Sequence, residues 1–68
     1  MNGTELKAIR KKLGISQEEL SELLGYTMRR VGNWERGDYD VPRVVELVMK
    51  LLEASSNIVR ERVITGEL

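Results

Sequence analysis

Sixty-eight residues with a formal net charge of zero, no cysteine and no histidine are enough for one domain and leave few kinds of chemistry open. Lack of Cys excludes a disulfide framework and a thiolate metal site, and lack of His removes the commonest metal ligand and the commonest general base near neutral pH. No apolar run approaches the roughly 20 residues needed to span a bilayer, and no signal-peptide pattern opens the chain, so a soluble, cytoplasmic, single-domain protein without metal or cofactor is expected.

Neutrality counts mildly against a nucleic-acid partner, because phosphate neutralisation supplies most non-specific affinity. The charges are segregated, however. The stretch from Arg29 to Arg36 carries three arginines and one acid, Glu35, while Glu18, Glu19 and Glu22 cluster upstream. Distribution matters more here than the total.

Taken in order, the chain reads as short helices separated by single glycines, without repeats or strand alternation. The first helix is expected over about Gly3 to Leu13, with Leu6, Ile9 and Leu13 as its apolar stripe. Asn2 and Glu5 mark its start, and Gly14 suits a left-handed stop. Ser16 and Glu19 form a capping box at the start of the second helix, with Ile15 and Leu20 as a hydrophobic staple. Leu20, Leu23 and Leu24 are expected to face inward before Gly25 ends this helix.

Thr27 is the expected cap of the third helix, with Tyr26 and Val31 as a second staple and Gly37 as the stop. Val31 and Trp34 share one face of it, and Trp34 is read as core rather than as a base-stacking platform. The opposite side carries Arg29, Arg30, Asn33 and Arg36. A fourth helix begins near Pro42, a residue suited to a first helical position. Its apolar residues Val44, Val45, Leu47, Val48, Leu51 and Leu52 exceed one narrow stripe. Ser55, Ser56 and Asn57 interrupt the pattern after Ala54, and Ile58 to Ile64 is read as a short fifth helix. The surplus apolar residues either complete the monomer core or form a two-fold dimer interface; the dimer is preferred.

The expected fold is therefore all-α, four to five short helices around one core. Gly25, Tyr26 and Thr27 leave only a three-residue turn between the second and third helices, which sets them at a steep angle. In that geometry the later helix fits a major groove, and Met28, Arg29 and Asn33 would point toward base edges. Arg pairs bidentately with guanine, Asn with adenine, and Met can touch a thymine methyl. Glu18, Glu19 and Glu22 are better explained as a solvated face near a helix N-terminus than as catalytic carboxylates.

The segment KKLGISQEELSELLGYTMRRVGNWERG, Lys11 to Gly37, resembles the helix-turn-helix of phage repressors, Cro proteins and the wider XRE family. The resemblance covers about residues 4 to 54 and leaves 55–68 as a tail or short helix. It implies base-facing positions at Met28, Arg29 and Asn33, and backbone or groove positions at Gln17, Thr27, Arg30 and Arg43. Gln17, by its residue type alone, also fits an ordinary surface position. The resemblance further implies an internal salt bridge between Arg10 and Glu35. Its functional implication is a repressor that binds double-stranded DNA as a homodimer on a palindromic operator, often as an autoregulator in a phage or mobile-element operon. An antitoxin-type or protein-interaction module on the same fold is the alternative, and nothing supports an enzyme.

Two features depart from the family. Gly32 lies inside the reading helix at a cost of about 1 kcal/mol relative to Ala, either to admit DNA closely or simply weakening the helix. Asp38 and Asp40 stand in a loop where relatives often place basic residues.

Overall fold

The computed structural model describes the backbone of residues 1–65 and the side chains of residues 1–55. It contains α1 (Gly3–Leu13), α2 (Gln17–Leu24), α3 (Met28–Arg36) and α4 (Arg43–Thr65), and no strand among the described residues. The expected interruption at Ser55–Asn57 does not occur, and α4 runs on through it as one helix of 23 residues. Three polar residues lower helix propensity by only tenths of a kcal/mol each, too little to end a helix that lacks a Gly or Pro there. The side chains of Ile58 to Ile64, which bear on the tail's expected role in dimerisation, lie outside the described residues, as does all of 66–68.

The short helices begin and end where local chemistry dictates. Asn2 and Ser16 each accept from the N–H three residues on, and Glu5 and Glu19 each return a carboxylate to the cap's N–H. Both are complete capping boxes, which satisfy two otherwise orphaned backbone donors per helix. The backbone and hydroxyl of Ser16 hold the Glu19 carboxyl below its ordinary pKa. Gly14, Gly25 and Gly37 close α1, α2 and α3 in the left-handed conformation, at φ 75°, 78° and 85°. In that region a Cβ is costly.

Leu6, Leu20, Val31, Trp34, Val45 and Met49 form the buried core, drawn from all four helices. Ile9, Leu13, Ile15, Leu24, Val41 and Leu52 pack around it. Leu23 does not join them. It is 59% exposed, because α2 has barely two turns and Leu20 and Leu24 already fill its inward side. Met49 takes a central position that the valine and leucine pattern of α4 did not single out.

α3 packs against α2 and α1, and α4 packs against α1. The start of α1 comes very close to the last turn of α3. A Cβ on Gly3 would stand 2.1 Å from the Trp34 carbonyl oxygen and 2.6 Å from that of Glu35. The helix N-terminus thus abuts carbonyls at the negative end of its neighbour, a favourable dipole arrangement. Salt bridges from the Met1 ammonium to Glu46 (2.9 Å) and from Lys12 to Glu53 (3.2 Å) tie both ends of α1 to α4.

One polar cluster is built into this packing. Arg10 donates from Nε to Glu35 Oε2 at 2.6 Å and from Nη2 to Glu35 Oε1 at 3.1 Å. It also donates from Nη1 to the Ile15 carbonyl at 2.9 Å. Gln17 donates from Nε2 to Glu35 Oε1 at 3.0 Å. Burial pushes the Glu35 pKa up, but the hydrogen bonds from Arg10 and Gln17, with the charges of Arg10 and Lys7, outweigh it and hold the carboxyl below its ordinary value. No buried side-chain nitrogen or oxygen among the described residues lacks a partner.

Three consequences are testable by denaturation. Glu35→Ala leaves the Arg10 charge buried without its partner, at an expected cost of about 3–5 kcal/mol. A 68-residue chain has only roughly 3–10 kcal/mol in all, so this variant should be largely unfolded or close to it. Because the folded pKa of Glu35 is depressed, its contribution is present above the unfolded carboxyl value and is lost as pH falls through the folded one. Acidification from pH 6 to 3 should therefore destabilise the wild type more than Glu35→Gln. Gly3→Ala should cost about 1–3 kcal/mol through overpacking against backbone, and an unchanged melting temperature would contradict the close approach.

Candidate nucleic-acid interface

α2 and α3 are joined by Gly25, Tyr26 and Thr27. The N–H groups of Gly25 and Tyr26 both donate to the Ser21 carbonyl, at 2.9 and 3.0 Å, and Thr27 in an extended conformation caps α3 through its hydroxyl on the Arg30 N–H at 3.1 Å. The chain reverses within one glycine-dependent turn and re-enters a helix immediately. Tyr26 is half-exposed rather than stapled into the core. Its ring meets Trp34 edge-on, with centroids 4.9 Å apart and planes at 77°, an arrangement favoured by aromatic quadrupoles.

α3 has two unlike sides. Val31, Gly32 and Trp34 are buried, with Trp34 only 2% exposed. Thr27, Met28, Arg29, Arg30 and Arg36 are exposed, and Asn33 is half-buried. Thr27, Arg29, Arg30 and Asn33 line one open groove with Trp34, Tyr39, Asp40 and Pro42. The groove therefore runs between α3 and the loop that leads to α4. Met28 is exposed at the start of α3 but is not among the groove's lining residues, and Arg43 lies exposed at the first position of α4.

Several of these side chains are held rather than free. The Arg30 guanidinium carbon sits 5.7 Å from the centroid of the Tyr26 ring, within cation–π range. Arg36 donates from Nη2 to Asn33 Oδ1 and from Nε to Asp38 Oδ2, the latter at 3.1 Å. Gln17 opens α2 beside the buried cluster, and its amide is spent on Glu35. Its carboxamide oxygen faces Gly32, at 3.9 Å from where a Cβ on that glycine would stand. Gly32 thus lies where α3 crosses the start of α2.

The sequence reading did not identify the link from Asp38 through Arg36 to Asn33. The signal was available in the three-residue spacing of Asn33 and Arg36, at which side chains meet on a helix. The involvement of Tyr39, Asp40 and Pro42 in the groove depends on the path of the loop, which spacing does not specify.

Chemically, the surface offers guanidinium and amide donors on one helix that projects beside the N-terminus of another. No cluster of residues able to hold a metal ion occurs among the described residues, and no described helix is long and apolar enough to cross a membrane. Comparisons with curated proteins and with solved structures found no match. A family model described as helix-turn-helix matches residues 6–54, well over half of the chain and the whole of α2, the turn and α3. With its turn, its caps and its two-sided third helix already accounted for, the chain belongs to the XRE/Cro-like helix-turn-helix family, a family of DNA-binding regulators.

Proposed function

We propose that this protein binds double-stranded DNA sequence-specifically as a homodimer and represses transcription by occupying a palindromic operator. The observation that carries this reading is the polar row of exposed Arg29 and Arg30 and half-buried Asn33 on α3, away from the side buried by Val31 and Trp34. A major groove about 12 Å wide admits one helix, whose first residues approach the base edges. Met28, Arg29 and Asn33 are the base-contacting residues of this reading. Thr27, Arg30, Arg43 and the N-terminal end of α2 at Gln17 lie against the sugar–phosphate backbone, where helix N–H groups favour anions. The protein works in the cytoplasm, where its DNA is.

The dimer is assigned to α4. Val44, Leu47 and Leu51 recur at helical spacing and are 68%, 55% and 67% exposed, an apolar row left over after Val45 and Met49 complete the core. One reading helix covers a few base pairs, whereas two modules about 34 Å apart match successive turns of the duplex. A neutral chain gains most from such doubling, since its own long-range attraction to DNA is weak. An autoregulatory role in a phage or mobile-element operon fits a domain of this size.

Two experiments test the reading. In a gel shift with the DNA upstream of the protein's own gene, Arg29→Ala should weaken specific retardation by roughly 5- to 150-fold, the value of one good base contact. Arg30→Ala should weaken all sequences alike and lower the salt dependence by about one phosphate. Retention of full binding by both variants would mean that α3 does not read DNA and that its polar face serves another partner, such as a protein. Sedimentation should show a dimer for the wild type and a folded monomer for Leu47→Glu; a Leu47→Glu dimer would move the interface elsewhere.

A further inference from the structure

Asn33 and Arg36 stand three residues apart on α3, and the Arg36 guanidinium lies back along the helix to reach Asn33. Its Nη2 donates to Asn33 Oδ1, and its Nε donates to Asp38 Oδ2 at 3.1 Å. Its Nη1 is 3.3 Å from the place a Cβ on residue 32 would occupy. The glycine at that position therefore leaves room for the guanidinium. Asp38 is anchored in turn, because its N–H donates to the Asn33 carbonyl at 3.0 Å. Three neighbours fix where Arg36 sits.

This arrangement changes what Asn33 presents. A free Asn side chain shows an acceptor and a donor side by side, which match the N6 amino group and N7 of adenine. Here one lone pair of the acceptor is engaged by a cation, which carries further N–H groups. Asn33 Nδ2 and the unspent N–H groups of Arg36 make the pair rich in donors, against one remaining lone pair on Oδ1. An adenine amino group would compete with the Arg36 guanidinium for that oxygen, whereas guanine presents two acceptors, N7 and O6, to the donors.

The geometry points to Asn33 and Arg36 acting as one donor-rich reading unit, positioned by Asp38, that selects guanine over adenine. This rests on the proposal that α3 enters a major groove. Arg36 determines specificity in this unit. Asp38, which bonds Arg36, is a positioning residue.

The test is binding-site selection from a randomised duplex library, followed by competition between duplexes that differ only at the base pair whose preference disappears in Asn33→Ala. The wild type should favour guanine over adenine there by roughly 5- to 150-fold. Arg36→Ala frees Asn33 Oδ1 and should shift the preference to adenine. Asp38→Ala should narrow the ratio without changing the melting temperature. In the absence of DNA, both variants should move the Asn33 side-chain amide resonances. An adenine preference in the wild type, an unchanged guanine preference in Arg36→Ala, or immobile amide resonances would each overturn the proposal. So would an equal loss of affinity for all sequences in Arg36→Ala, which would make Arg36 a phosphate contact. A wild type that enriches no sequence overturns the DNA reading itself, an outcome distinct from enrichment of a site to which Arg36 is indifferent.

Discussion

The Glu35 carboxylate must remain charged within the packed helices, because it is the point at which α1, α2 and α3 are joined. Arg10 comes to it from α1 and Gln17 from α2, through three hydrogen bonds. A buried ion pair is weak evidence for net stability, since both partners lose their hydration, but breaking one is costly. Its contribution here is orientation. The angle between α2 and α3 depends on a turn of three residues, and a short turn alone leaves freedom of rotation. The Glu35 cluster removes that freedom from the buried side, while the Tyr26–Trp34 contact does so nearer the turn.

The two sides of α3 follow from this constraint. Val31 and Trp34 are fixed inward, so Arg29, Arg30 and Asn33 are turned outward on a helix whose direction is set by its neighbours. Site residues on a rigid element hold their geometry better than residues on a loop. Arg30 against Tyr26 and Arg36 against Asn33 extend that rigidity into the polar side chains. Less side-chain freedom then remains to be lost on association. The acidic loop after α3 fits the same picture, since Asp38 is partly neutralised by Arg36 and holds it in place.

Much of the fold was legible because it rests on local rules. Asn2 with Glu5, Ser16 with Glu19, and the glycines at 14, 25 and 37 each encode a boundary within a few residues, so the first three helices could be placed from the chain alone. The three-residue turn and the polar side of α3 were legible for the same reason. The end of α4 was not. Ser55, Ser56 and Asn57 look like a break, yet only a Gly or Pro, or a competing tertiary contact, imposes one. Leu23 and Met49 also escaped, because a short helix has few inward positions and the choice among them depends on which neighbours arrive. The Gly3 contact with α3 and the Arg36 link to Asn33 are tertiary and conformational features, and residue spacing carries little trace of either.

Everything proposed for this protein requires that one face of α3 meet DNA. The most direct measurement is amide chemical-shift mapping of the labelled protein as a duplex from the region upstream of its own gene is added. The largest changes should fall on Thr27 to Asn33 and the first turn of α2, with the buried side of α1 little affected. Changes confined to α4, with the signals of α3 unmoved at saturation, would contradict it.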